Sequence, residues 1–211
     1  MSSTGRRAPA VDPGSDTEPQ EHRSLAFDHL LHWFERRGAR QILDLGPALG
    51  CNVSFLSSLP SKLFIADLPQ SLATPAAGGD FAALLERELP ALDDRSLDAV
   101  LAWDLLNYLQ PPQIEVLARR LARCCAPGAL LFSIVILSPE MPDRPRRFEI
   151  GGRDTLRYRG PGRARRSSPR YTEPDLRRWL AGFDVDVTYL LRNGMQEYLF
   201  ARTGRGAFGP E

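Results

Sequence analysis

The sequence has 211 residues, of which 43% are hydrophobic, 27 are lysine or arginine and 26 are aspartate or glutamate, so the formal net charge is +1. This length and apolar content predict one globular domain with a sizeable core, and the near-neutral charge indicates no particular class of partner. No apolar run is long enough to span a membrane, the N-terminus lacks the apolar core of a signal peptide, and the three cysteines have no metal-binding spacing, so we expect a reduced, cytoplasmic protein without a metal site.

The first 20 residues are rich in serine, glycine, proline and charged side chains, and we expect them to form a disordered tail. The domain is predicted to cover residues 21–203, with residues 204–211 as a second tail. A helix is predicted from about His22 to a stop at Gly38. Its apolar residues recur with helical spacing and predict one buried face, formed by Phe27, Leu30, Leu31 and Phe34.

A short apolar run at residues 41–45 contains Asp44 near its end, and the turn Gly46-Pro47-Ala48-Leu49-Gly50 follows at once. This pattern predicts a strand, a tight turn and a helix, which together open a βαβ unit. Glycine lets the backbone come close to a ligand, and the first amides of the helix point toward whatever lies in the turn. An ordinary βα turn without a ligand is the alternative.

A second strand is predicted at Lys62 to Ala66, and Asp67 follows it. The spacing from Asp44 to Asp67 is close to that of nucleotide-binding βαβ units, in which an acid at the tip of the second strand accepts hydrogen bonds from ribose hydroxyls. We therefore predict ribose binding by Asp67, with a solvated strand-end aspartate as the alternative. Residues 69–80 are predicted to form a loop and residues 81–89 a short helix, and no convincing third strand follows.

Two nearly continuous apolar runs predict strands that are covered on both faces, namely Leu97 to Trp103 and Ala129 to Leu137. A helix between them is predicted to start at Pro111 or Pro112. Two further strands, residues 184–191 and 197–201, are joined so tightly at Asn193-Gly194 that they must be antiparallel. The predicted fold class is therefore α/β: a Rossmann-like, doubly wound, mostly parallel sheet closed by an antiparallel strand pair, with helices on both faces.

Residues 139–170 form an insertion that differs from the rest of the chain in its high arginine content, with a predicted hairpin around Gly151 to Asp154. We expect a solvated flap, and nucleic-acid binding is the weaker alternative because acidic residues dilute the positive charge. The insertion contains ten arginines: Arg144, Arg146, Arg147, Arg153, Arg157, Arg159, Arg163, Arg165, Arg166 and Arg170.

With these pieces in order, residues from about Phe27 to Arg202 resemble the class I S-adenosylmethionine-dependent methyltransferases, and within them a bacterial branch whose turn reads Gly-Pro-Ala. The acid and the outer glycines of that family's turn are matched by Asp44, Gly46 and Gly50. Its ribose-binding acid is matched by Asp67. The cofactor-binding residues that the resemblance implies are Asp44, Gly46, Pro47, Ala48, Gly50, Asp67, Leu68, Trp103 and Asp104, the last two near the methionine end.

The resemblance implies transfer of a methyl group from S-adenosylmethionine to an unknown acceptor, for which a small molecule is favoured, with S-adenosylhomocysteine as the product. Because the reaction is an in-line displacement that depends on positioning, the sequence needs no catalytic triad and predicts no catalytic residue. Ala48 departs from the family, which usually has a glycine there. This departure leaves open a catalytically inactive scaffold, or a cofactor sensor, that binds a protein partner.

Overall fold

The computed structural model describes residues 19–38, 41–73, 80–160 and 162–204. Most of the predicted N-terminal tail, residues 205–211 of the second tail and residues 74–79 of the predicted loop lie outside these ranges. The helices are α1 Leu25–Arg37, α2 Gly50–Ser58, α3 Leu68–Ala73, α4 Phe81–Glu88, a short 3-10 helix Leu105–Tyr108, α5 Pro111–Cys124 and α6 Glu173–Trp179. The strands are β1 Gln20–Arg23, β2 Gln41–Asp44, β3 Lys62–Ile65, β4 Leu97–Trp103, β5 Cys125–Ile136, β6 Glu140–Pro142, β7 Arg147–Gly152, β8 Thr155–Arg159, β9 Arg165–Ser167, β10 Phe183–Leu190 and β11 Met195–Arg202.

A six-stranded central sheet has the order β10-β11-β5-β4-β2-β3. The pairs β3–β2, β2–β4 and β4–β5 are parallel, whereas β5–β11 and β11–β10 are antiparallel. The predicted fold class is therefore confirmed. Within the described ranges no strand lies between β3 and β4, which agrees with the failure to find a third strand in the sequence.

Helices cover both faces of this sheet, which explains why β4 and β5 are apolar along most of their length. On one face α5 contributes Leu117 and Leu121 to a buried cluster that also contains Val100 and Leu131. On the other face α1 packs its predicted apolar residues against Leu101 and other residues of the sheet. None of the helices in the described ranges combines the length and apolarity needed to cross a membrane.

The predicted start of the first helix at His22 is wrong, because residues 20–23 form β1 and pair with β8. The helix starts at Leu25 because the Ser24 side chain accepts a hydrogen bond from the Phe27 amide at 3.1 Å, which caps the first turn. The end at Gly38 is confirmed, since that residue has a left-handed φ of 60°.

The loop predicted from residue 69 is also wrong at its start, since residues 68–73 form α3. Asp67 Oδ1 accepts a hydrogen bond from the Gln70 amide at 3.0 Å, so this aspartate acts as a helix cap. In addition, β5 begins at Cys125, directly after α5, rather than at Ala129.

The insertion forms two small antiparallel sheets. The predicted hairpin is present as β7 and β8, and β1 adds to it to give a three-stranded sheet. A ribbon of β6 and β9 forms the second sheet. The hairpin packs on α2 and on the carboxyl end of β4, and it thereby covers the edge of the central sheet at which the predicted site residues lie.

Candidate functional site

Asp44 lies at the carboxyl end of β2 and is only 2% exposed. Its Oδ1 atom accepts hydrogen bonds from the Gly46 amide at 2.9 Å and from the Trp103 indole Nε1 at 2.6 Å. Burial raises the pKa of Asp44 to about 6, against the lowering effect of these two hydrogen bonds. The carboxylate therefore holds the turn through the Gly46 amide and already accepts a hydrogen bond from Trp103.

Trp103 covers the turn. It ends β4 with a left-handed φ of 48°, which directs its chain away from the sheet, and it is 5% exposed. A methyl group added at Gly46 would lie 2.8 Å from both Cδ1 and Nε1 of the indole, so the glycine is needed here for the approach of Trp103. On its other side the indole stacks on Phe148 of β7, with the ring centroids 5.6 Å apart and the planes 7° from parallel.

Asn52 of α2 holds β7 in this position. Its Nδ2 donates to the Phe148 carbonyl and its Oδ1 accepts from the Ile150 amide, both at 2.8 Å. The side chain is buried, so both hydrogen bonds lie away from water. Asn52 could not be identified from the sequence, because its partners lie 96 and 98 residues further along the chain and no local pattern indicates them.

Asp67 follows β3, beside Asp44, and is half-buried. The two strand ends are joined by a hydrogen bond from the Ala66 amide to the Asp44 carbonyl at 2.8 Å. One carboxylate oxygen of Asp67 caps α3, and the other has no hydrogen bond within the described part of the chain. The next residue, Leu68, is fully buried in the core, so its side chain does not face a ligand.

The remaining turn residues lie nearer the surface. Pro47 is half-buried, whereas Ala48 and Gly50 are exposed. Neither Ala48 nor Gly50 has a φ in the left-handed region, so the alanine is not strained at the position of the family's usual glycine. No side chain caps the first turn of α2.

Asp104 is 1% exposed and lies beneath the insertion. Its Oδ2 accepts hydrogen bonds from the Arg146 amide at 3.2 Å and from Nη1 of the same residue at 3.3 Å. Burial raises the pKa of Asp104 to about 6, and the Arg146 guanidinium opposes this shift. In this conformation Asp104 therefore orients Arg146 and is not open to a bound molecule.

These residues fit S-adenosylmethionine only in part. Asp44, the glycine turn and Asp67 lie at the carboxyl ends of neighbouring parallel strands, as a nucleotide-binding βαβ unit requires. However, Trp103 packs against Gly46 and Phe148 covers the other face of the indole, so in this conformation a ligand cannot approach Gly46 from that side. Among the residues that the structure describes, no three His, Cys, Asp or Glu side chains are grouped so that they could hold a metal ion.

Comparison with known proteins places the fold. No protein-family model matches the sequence. No curated protein matches it either. Among solved structures, an S-adenosylmethionine-dependent methyltransferase from Clostridium acetobutylicum is 12% identical, with a TM-score of 0.51 over 84% of this chain and 91% of that chain.

Two further solved structures are similar. One is a TehB-like SAM-dependent methyltransferase from Corynebacterium glutamicum, at 14% identity and a TM-score of 0.49 over 84% of this chain and 87% of that chain. The other is the 1,6-didemethyltoxoflavin-N1-methyltransferase of Burkholderia thailandensis with bound S-adenosylhomocysteine, at 18% identity and a TM-score of 0.47 over 84% and 79%. At such identities the Clostridium match shows a shared fold, so the chain has the fold of an S-adenosylmethionine-dependent methyltransferase.

Proposed function

We propose that the chain is an S-adenosylmethionine-dependent methyltransferase of the class I superfamily that acts on a small-molecule acceptor. One observation carries the proposal: Asp44 with its glycine turn and Asp67 lie side by side at the carboxyl edge of a parallel sheet. The methyltransferase fold of the chain supports it. When bound, the cofactor would supply an electrophilic methyl group, and the protein would position the acceptor.

In this proposal the free oxygen of Asp67 accepts hydrogen bonds from ribose hydroxyls, and residues 46–50 approach the cofactor through their backbone. Trp103 must first leave Gly46, which breaks its hydrogen bond to Asp44 and its stack on Phe148. We call the state in which Trp103 covers Gly46 the closed state. Because this state competes with binding, the apparent dissociation constant of the cofactor is the intrinsic constant divided by the fraction of molecules that are not closed.

A cofactor-free scaffold that binds a protein partner is the second candidate. The packing of Trp103 and Phe148 against the turn favours it, as does the clamp of Asn52 on β7. Nucleic-acid binding through the insertion stays a weaker prediction, because acids neutralise several of its arginines. The ion pairs are Arg153–Glu35, Arg157–Glu21 and Arg159–Glu149.

Calorimetric titration of S-adenosylhomocysteine into the native protein tests the proposal. We expect binding in the micromolar range, which is about −8 kcal/mol. The Asp67→Asn variant keeps a side-chain oxygen to cap α3 but loses the carboxylate, and we expect at least about tenfold weaker binding. The exposed Asp93→Asn variant makes the same charge change away from the site and serves as the control.

The Trp103→Leu variant separates the two candidates. It removes the indole from Gly46 and the donor from Asp44, so a closed but functional site should bind S-adenosylhomocysteine at least as tightly as the native protein. Thermal denaturation of each variant establishes that it is folded. Absence of binding in both the native protein and a folded Trp103→Leu variant would refute the enzyme proposal and favour the scaffold.

A further inference from the structure

An open cleft of about 780 Å³ lies on the far side of the insertion hairpin from the filled turn. The β6–β9 ribbon, the end of β5 and the turn between β10 and β11 form its walls, and Tyr158 of β8 closes one side. None of the nine predicted cofactor residues lines it. Its volume is that of a site for one small molecule.

A stack of three aromatic rings separates this cleft from the turn. Trp103 stacks on Phe148, and Phe148 packs on Tyr158 with ring centroids 5.5 Å apart. Phe148 and Tyr158 are direct partners across the β7–β8 hairpin. The same hairpin therefore covers the outer face of Trp103 with one ring and lines the cleft with the next.

Part of the cleft surface is apolar. Ile136, Met195 and Tyr158 lie in its wall and are 1%, 2% and 6% exposed, so each offers a small apolar contact to the cleft. Pro139 and Pro142 add further apolar surface. A ligand with an apolar or aromatic body would remove this surface from water.

Three arginines also line the cleft, and one of them is held rigidly. The Arg146 side chain is 13% exposed, pairs with Asp104 at 3.3 Å and lies 5.6 Å from the centroid of the Tyr158 ring. Such a guanidinium is oriented before a ligand arrives, which lowers the entropy cost of binding.

The other two cleft arginines, Arg163 and Arg165, are exposed and have no ion pair within the described ranges. They differ in this respect from Arg153, Arg157 and Arg159 of the hairpin, which pair with glutamates. Arg146 is compensated by Asp104, so Arg163 and Arg165 are set against one acid among the lining residues, Glu140. The cleft therefore has a surplus of guanidinium groups beside an apolar surface.

We propose that this cleft binds a small organic anion, a carboxylate or a phosphate, whose aromatic or apolar body lies on Ile136, Met195 and Tyr158. Planar guanidinium groups match the oxygen geometry of both anions. Binding itself does not require the proposed methyltransferase activity. Only the identification of this anion as the methyl acceptor rests on that proposed function.

The test is a calorimetric titration of 1-naphthoate, and separately of 1-naphthyl phosphate, into the native protein without S-adenosylmethionine. Naphthalene-1-carboxamide has the same ring system without the charge and is the matched control. We expect saturable binding of at least one anion with a dissociation constant of about 1 mM or lower, and at least about tenfold weaker binding of the amide. The two anions distinguish a carboxylate site from a phosphate site.

Two double variants connect the binding to the cleft. We expect Arg163→Gln/Arg165→Gln to weaken anion binding about tenfold or more, because both charges face the ligand. Arg36→Gln/Arg119→Gln removes two exposed arginines elsewhere and should leave the affinity unchanged. Both double variants change only exposed side chains, so both should fold.

Three results would overturn the proposal. The first is the absence of saturable binding of either anion, and the second is equal weakening by the two double variants. The third is tight binding of oligouridylate that depends on Arg163 and Arg165 and excludes both naphthyl anions, which would identify a nucleic-acid surface instead. Because no cofactor is present, these results are independent of the S-adenosylhomocysteine titration.

Discussion

The filled turn around Gly46 and the open cleft around Arg146 lie on opposite sides of one aromatic stack. At the turn, Trp103 packs against backbone and the acid Asp44 is buried. At the cleft, Tyr158 borders open space and the charges are mostly guanidinium groups. One hairpin therefore contacts both regions, since its Phe148 stacks on the Trp103 that covers the turn and its Tyr158 lines the cleft.

Arg146 and Asp104 connect the two regions electrostatically. Asp104 directly follows Trp103 in the chain, whereas Arg146 lines the cleft. Among the described residues Arg146 is the charged partner of Asp104. Removing one member of such a pair leaves an uncompensated buried charge, so substitution of Arg146 alone would destabilise the folded protein.

The largest expected effect is that of Trp103→Ala on stability. The substitution empties the space between Gly46 and Phe148 and removes a donor from Asp44, so we expect a loss of about 3–5 kcal/mol in the free energy of unfolding. Trp33→Ala, at a half-buried position on α1, should cost about 1 kcal/mol. Urea denaturation monitored by circular dichroism measures both.

Equal losses in the free energy of unfolding for Trp103→Ala and Trp33→Ala would contradict the description of the turn as a filled region. They would mean that the turn is not a packed region, and that Trp103 is free to leave Gly46 at little cost. The closed state would then present no barrier to the cofactor, and the scaffold candidate would lose its main support.

A smaller effect is expected from the buried acid of the turn. The pKa of Asp44 is raised by burial from 3.8 to about 6. The folded protein therefore keeps a proton that the unfolded chain releases between about pH 4 and pH 6, and stability falls as the pH rises through this window. The Asp44→Asn variant cannot ionise, and its side-chain oxygen can still accept from Gly46 and Trp103. It should be more stable than the native protein at pH 8 by about 1–3 kcal/mol and equally stable at pH 4.

Urea denaturation at the two pH values checks this prediction, with the exposed Asp93→Asn as the control. Asp104 is present in all three proteins, so its own raised pKa contributes the same slope to each and cancels in the differences. A stability difference between Asp44→Asn and the native protein that does not change with pH would show that Asp44 is hydrated in solution, and hence that the turn is open.

Much of the fold could be predicted from the sequence, because the informative residues are local. The apolar run of β4, the prolines that begin α5 and the Asn193-Gly194 turn each specify one element from a few neighbouring residues. Strand β1 could not be predicted, since its four residues are polar and pair with β8 more than 130 residues away. The helix α3 was not predicted, although Asp67 and Pro69 are typical of a helix N-terminus, because Asp67 was interpreted as a ribose ligand or a solvated strand-end residue.

The candidate site, like the fold, could be predicted only where its residues are close together in the sequence. The order of strand, acid, glycine turn and second acid was predicted from residues 41–67, and the parallel pairing of β2 and β3 brings the two acids together. Whether those residues are covered could not be predicted, because the covering contacts come from Trp103, 59 residues beyond Asp44, and from the insertion. Asn52 contacts β7 and Asp104 contacts Arg146 across 42 to 98 residues of sequence, with no local pattern to indicate either pair.

The smallest expected effect concerns Ala48, where the chain departs from the family's glycine. Because Ala48 is exposed and lacks a left-handed φ, Ala48→Gly removes no contact from the covered side of the turn and mainly adds freedom to the unfolded chain. We expect a loss of about 0.5–1 kcal/mol, measured by urea denaturation. The reverse change at Gly50, which is exposed and has no atom within 4 Å of an added methyl group, should give a gain of similar size.

The affinity for S-adenosylhomocysteine should change by less than about twofold in Ala48→Gly. A tenfold tighter affinity in that variant would instead mean that the alanine methyl narrows the approach of the cofactor, and that the obstacle lies in the turn itself rather than in Trp103.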